Sequence, residues 1–172
     1  MSMVAKARPA ETPEAQAADA AVKPLYLETL NRIERLHRQL LDVIKDELER
    51  KNQNDVNSVQ ALLLFNIGTS EMTAGELRSR GHYLGSNVSY NLKKLVEAGY
   101  INHARSETDR RSVRVRLTDK GLKISTLVAA LFDRHTLSVE KVGGIAQVEF
   151  MALNEALQRL EKYWADQVRF RL

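Results

Sequence analysis

From Leu25 onward, Leu27, Leu30, Ile33, Leu36, Leu40, Val43, Ile44 and Leu48 recur at intervals of about three to four residues, which predicts one helix of about six turns. Pro24 stands where the first turn of that helix tolerates a missing amide. Residues 1–23 are alanine-rich, contain Pro9 and Pro13, and hold too little apolar surface to offset ordering, so a disordered tail is expected there. Asn57 and Gln60 have the spacing of a capping box, and Gly68 closes the helix they open. Between them Val59, Ala61, Leu62, Leu63, Leu64 and Phe65 are apolar on nearly every side, the mark of a buried central helix.

A second capping box, Thr73 with Glu76, predicts a short helix ending near Gly81. After the turn His82-Tyr83-Leu84-Gly85, Ser86 is the expected cap of a helix with Val88, Leu92, Leu95 and Val96 on one stripe and Gly99 as its stop. Residues 100–105 and 113–117 then read as strands, the second alternating valine with arginine. A further helix begins at Thr118-Asp119-Lys120-Gly121 and breaks at Gly143-Gly144. The last helix, from about Ile145, presents Phe150, Leu153, Leu157, Leu160 and Trp164. Three helices with short links followed by a hairpin are the parts of a winged helix-turn-helix. The expected fold class is mainly α with a small β-wing, joined to a helical dimerisation region.

Charge sharpens this picture. Between Arg78 and Lys123 there are eleven basic and four acidic residues, a local charge of +7, so the rest of the chain carries −3 of the total +4. A basic block between acidic flanks is an electrostatic footprint for phosphate, and double-stranded DNA is the expected partner. Hydrophobic residues make up 44% of the 172, enough for a core, and only 6% are aromatic. The absence of cysteine excludes disulfides, thiolate metal sites and thiol redox sensing. No stretch has the character of a signal peptide or membrane span, so a cytoplasmic protein without membrane contact is expected.

On the helix from Ser86, steps of about 100° set Asn87, Tyr90, Asn91 and Lys94 opposite the Val88/Leu92/Leu95 stripe. These are candidates for base edges: asparagine pairs a donor with an acceptor as adenine requires, and Tyr90 can stack or donate once. Ser86, Ser89 and Lys93, at the flanks, suit phosphates. On the strands, Arg105, Arg114 and Arg116 are either backbone contacts or solvated residues.

The spacing Leu92, Leu95, Gly99-Tyr100, then Asp109-Arg110-Arg111, then Val113-Arg114-Val115-Arg116-Leu117-Thr118-Asp119-Lys120-Gly121 resembles the MarR family of winged-helix transcriptional regulators. The detailed likeness spans roughly residues 57–123, and the flanking helices agree in number and length. Within the family, LGSNVSYNLKKLVEAGY is most similar to the alphaproteobacterial LdtR branch, named for control of cell-wall L,D-transpeptidase genes. The resemblance implies a homodimer on a pseudo-palindromic operator, with an effector cleft that accepts small hydrophobic or aromatic molecules. It places a wing arginine, Arg110 or Arg111, in the minor groove, with the other stiffening the turn through Asp109. Leu40, Ile44, Leu62 and Phe65 are the candidates for the effector cleft. Independently, the two long terminal helices carry more apolar stripe than a small head can cover, which itself favours a dimer.

The expected organisation is a tail (1–23) and one domain (24–172). Within the domain, 24–51 and 145–172 dimerise, 57–121 form the winged head, and 122–142 form a linking helix and turn. Enzyme chemistry has no footing: His37, His82, His103 and His135 fall on different elements without ligand spacing, and no phosphate loop or nucleophile elbow is present. Neither a metal nor a cofactor is expected. The competing reading is a winged-helix interaction module that docks an acidic protein, although such a module needs no polar recognition face beside a basic wing.

Overall fold

The computed structural model describes residues 13–73, 76–77, 85–105 and 113–170. The elements run α1 (Pro13–Arg50), α2 (Ser58–Ile67), β1 (Met72–Thr73), α3 (Gly85–Glu97), β2 (Ile101–Arg105), β3 (Val113–Leu117), α4 (Asp119–Gly143) and α5 (Gln147–Phe170). The chain divides into two units, residues 1–54, which contain α1, and residues 55–172, which contain the rest.

Helix α1 starts at Pro13, so Pro24 lies inside it rather than at its first turn. The disordered tail expected for residues 1–23 is corrected from residue 13 onward, and residues 1–12 lie outside the described residues. Scarcity of apolar side chains forbids tertiary packing but not helix formation. An alanine-rich segment that continues an existing helix avoids the cost of nucleation and has the best intrinsic propensity. That gain is set against about 3 kcal/mol for an interior proline, which cannot donate to the carbonyl of Ala20. At the other end Asn52 takes φ 54°, the amide of Gln53 donates to the Leu48 carbonyl (2.8 Å) and that of Asn52 to Glu49 (3.0 Å). This is a Schellman closure with asparagine in the left-handed position.

In the second unit, the Asn57–Gln60 capping box forms as expected: the Gln60 amide donates to Asn57 Oδ1 (2.9 Å) and the Asn57 amide to Gln60 Oε1 (3.1 Å). Ala61, Leu63, Leu64 and Ile67 of α2 are buried, and α2 packs along α4, where Ile124, Val128 and Leu131 are buried. Each large aliphatic side chain so removed from water contributes about 1.5–3 kcal/mol. Phe65 meets Phe132 edge to face with ring centroids 5.0 Å apart.

The sheet has the order β1-β3-β2 and is antiparallel throughout. The hairpin pairs Ile101 with Leu117, Asn102 with Arg116, His103 with Val115, Ala104 with Arg114 and Arg105 with Val113. Alternation along β3 buries Val115 and Leu117 and exposes Arg114 and Arg116, as its sequence requires. Strand β1 had no counterpart in the sequence pattern: two residues, with Met72 opposite Val115 and Thr73 opposite Arg114, are too few to show a period. The Thr73–Glu76 box is present, with the Thr73 amide donating to Glu76 Oε2 (2.6 Å) and the Glu76 amide to Thr73 Oγ1 (3.1 Å). Glu76 and Leu77 are helical, while the expected end of that helix at Gly81 lies outside the described residues. Helix α3 begins at Gly85, one position before the expected cap Ser86.

The end of α3 and the start of α4 are tied together. Gly99, at φ 75°, closes α3: the Tyr100 amide donates to the Leu95 carbonyl (2.8 Å) and the Gly99 amide to Val96 (3.0 Å). Thr118 caps α4, accepting from the Gly121 amide (3.1 Å). Its hydroxyl also reaches the carbonyls of Gly99 (2.8 Å) and Tyr100 (3.2 Å), and its own amide donates to Tyr100 (3.0 Å). Gly121 is buried so close that a β-carbon there would stand 2.2 Å from the Tyr100 carbonyl oxygen. Helix α4 ends at left-handed Gly144 (φ 68°, ψ 22°), as the Gly143-Gly144 break predicts. Helix α5 starts at Gln147, slightly later than Ile145, with the Ala146 amide donating to Glu149 Oε2 (2.8 Å). It buries none of its residues: Val148, Met151, Leu153, Tyr163 and Val168 are all exposed.

Two glycines therefore differ in what alanine would do. Gly99→Ala meets open space and pays only left-handed strain, about 1–2 kcal/mol. Gly121→Ala must displace backbone, and is expected to cost about 1–3 kcal/mol and to move the Tyr100 segment. Urea denaturation measures both losses, and a Gly121→Ala protein as stable as wild type would contradict the described closeness of α4 to residue 100.

Candidate nucleic-acid interface

Helix α3 supplies the first part of the interface. Leu92 and Leu95 are buried and Val96 half-buried, which turns the opposite side outward. On it Tyr90 is 63% exposed, and Ser89, Lys93 and Lys94 are exposed. Asn91 is only half-buried toward solvent, and both it and Ser89 already have intramolecular partners. The backbone sets Ser86 and Asn87 in the first turn of α3, but their side chains lie outside the described residues. Glu97 lies 3.9 Å from Lys93 and 3.5 Å from Lys94, so the C-terminal half of the helix is cationic but locally countered.

The hairpin supplies the second part. Arg114 and Arg116 project from β3 and are exposed. Arg105 ends β2, and its side chain, like the turn residues Asp109, Arg110 and Arg111, lies outside the described residues. Arg114 is not simply solvated: its Nη1 lies 3.5 Å from Glu71 Oε1, 43 residues away in sequence. Arg116 and Asn102, paired across the hairpin, line an open cavity of about 420 Å³ with Thr69, Leu117, Thr118 and Leu122.

Lys120 links these parts. Its ammonium donates to the Ala98 carbonyl (3.2 Å), lies 4.1 Å above the centroid of the Tyr100 ring and stands 3.9 Å from Asp55. A cation at the C-terminal end of α3 complements the helix dipole, and the ring face adds a cation–π contact. Neither Glu71, Asp55 nor Lys120 stood out as a site residue in the sequence. Lys120 belongs to the motif run, but the partners of all three are distant in sequence and leave no local periodic signal.

Among the residues expected to hold an effector, Leu40 is half-buried and Ile44 fully buried on α1, while Leu62 and Phe65 are half-buried on α2. Phe65 is engaged by Phe132. Among the described residues no group of histidine, aspartate and glutamate could hold a metal ion, and no helix is long and apolar enough to cross a membrane.

Residues 56–121 match the family model of a winged helix DNA-binding domain. The exopolysaccharide II synthesis transcriptional activator ExpG of Rhizobium meliloti is 32% identical over 145 residues, covering 84% of this chain and 74% of that protein. Solved structures share the fold, among them two bound to DNA. Streptococcus pneumoniae FabT in complex with DNA superposes with a TM-score of 0.63 at 22% identity, covering 82% of this chain and 98% of the other. A MarR family regulator from Listeria monocytogenes complexed with a 26mer DNA gives 0.68 at 19% identity, covering 80% and 89%.

Because Thr118 both caps α4 and holds the residues that close α3, Thr118→Val is expected to cost about 1–2 kcal/mol, whereas Thr118→Ser keeps the hydroxyl and most of the stability. Hydrogen exchange should quicken at the Gly121 amide in the valine variant alone. Equal protection in both variants would mean that the hydroxyl is not what secures this amide.

Proposed function

The chain belongs to the MarR family of winged-helix, DNA-binding transcriptional regulators, and from that premise we propose that it acts as a homodimer on a pseudo-palindromic operator. The observation that carries the reading is a polar, cationic helix face secured by residues 98–100 and 118–121 to a hairpin whose exposed face is arginine. A helix of this kind fills a major groove while the wing follows the flanking minor groove. Ser86, Asn87, Ser89, Tyr90, Asn91, Lys93 and Lys94 make the groove and phosphate contacts. Of these Tyr90 is the most informative probe, being large and 63% exposed. Arg110 enters the minor groove, with Asp109, Arg111, Arg105 and Arg114 around it.

The unburied apolar face of α5 supports the dimer. A helix of 24 residues with no buried side chain and with Leu153, Leu157 and Trp164 accessible is stable in water only if another surface covers it. The segments assigned to dimerisation are 24–51 and 145–172, which fall largely in α1 and α5. A small hydrophobic or aromatic effector modulates binding, and it can do so only by preferring one of two states of the protein. Since Phe65 rests on Phe132, an effector that displaces that ring alters how α2 packs on α4. The regulated genes serve the cell envelope. The likeness to the LdtR branch and the exopolysaccharide function in the name of the activator ExpG both point there.

Arg110→Ala and Tyr90→Ala should each weaken operator binding by about 1–3 kcal/mol without lowering the melting temperature. Sequencing the duplex fragments that co-purify with the protein supplies the operator, and mobility-shift titration of the variants on it gives the measurement. Unchanged affinity for both variants would remove the assigned contacts. Sedimentation velocity tests the assembly separately: a monomer at micromolar concentration would end the dimeric reading.

A further inference from the structure

Most of the described ion pairs of this chain join residues three or four apart on one helix, where they are exposed and contribute little. The pair between Glu71 and Arg114 is of another kind. Glu71 immediately precedes β1, the strand that leads through the Thr73–Glu76 box into the helix-turn-helix. Arg114 lies toward the end of β3 from which the charged turn departs, opposite Thr73 on one side and Ala104 on the other. Its side chain remains 49% accessible and that of Glu71 46%, so neither is committed to the core. The carboxylate thus occupies a guanidinium that stands on the outward face of the hairpin, inside the segment of strongest positive charge.

We propose that Glu71 is an internal counter-charge that holds Arg114 back from DNA, and that a phosphate must displace it when the wing engages. The inference rests on the DNA-binding reading of the hairpin and adds to it a residue that limits affinity. A guanidinium forms comparable charge-assisted bonds to carboxylate and phosphate, so binding exchanges one for the other and the net gain per duplex is small. Because phosphates carry no sequence, the effect is the same for any duplex. Glu71 thereby holds down non-specific binding, which is almost wholly electrostatic, without touching base recognition.

The test is fluorescence anisotropy of the full-length protein with a short mixed-sequence duplex over a salt series. Glu71→Gln is expected to bind about two- to fivefold more tightly at low salt. The slope of log affinity against log salt should stay close to that of wild type, because Arg114 neutralises the same phosphate in both proteins. Glu71→Gln placed in an Arg114→Ala background should gain nothing over Arg114→Ala alone. A gain that survives in that background means that Glu71 repels DNA directly and overturns the proposal, as does a Glu71→Gln protein that binds equally or more weakly. A wild-type protein that binds no duplex would overturn the DNA reading itself. Ordinary salt-dependent binding with no response to Glu71→Gln would overturn this inference alone.

Discussion

The contact on which the head depends is the one between the end of α3 and the beginning of α4. A recognition helix and a wing are useful to each other only if their relative placement is set to within a fraction of a groove width. Here that placement is set by backbone: the Tyr100 carbonyl accepts from the Thr118 amide, and Gly121 comes so near that no side chain would fit. Three devices converge on the same short stretch, a Schellman closure at Gly99, a threonine cap at Thr118 and a lysine over Tyr100. Each is worth about 1 kcal/mol or less to a few, but together they leave the junction few alternative arrangements.

Charge on the same surface is arranged differently. Several cations of α3, β3 and α4 stand near carboxylates of the same chain, Lys93 and Lys94 near Glu97, Arg114 near Glu71, Lys120 near Asp55. Such exposed pairs add little to folding. Their proposed consequence falls on binding, where a polyanion would compete with these internal acids for the paired cations. In the proposed complex, affinity grows from several partial exchanges, each sensitive to salt, while the base contacts assigned there fall to uncharged side chains such as Tyr90.

The two units meet their stability requirements in unlike ways. The second has a core of its own, with Leu63, Leu64, Leu77, Leu95, Ile124 and Val128 nearly inaccessible. Helix α5, though part of that unit, adds no fully buried residue to this core and leaves most of its apolar residues exposed. Helix α1 is long because alanine carries it back past Pro24, not because apolar contacts require it there: Val22 and Leu25 are exposed. Both helices have surface to spend on association, which is the physical content of the proposed dimer.

Sequence alone determined the elements whose cause is local. Periods of two and of about 3.6, the capping boxes at Asn57 and Thr73, and the glycine stops at Gly99 and Gly144 each act within a few residues, so β3, α2 and the closure of α3 were legible to within a position or two. The basic character of residues 78–123 and the family motif were legible for the same reason, being written in consecutive residues. The structure departs from the sequence pattern before Pro24, because scarce apolar surface argues against packing there but not against an alanine-rich helix that extends an existing one. Only the tertiary structure decided what depends on distant partners: the pairing of β1 with β3, the hold of Glu71 on Arg114, and the approach of Gly121 to Tyr100. Those contacts join residues about twenty to forty positions apart, and no period or spacing in a single chain records which of many polar or small residues will meet.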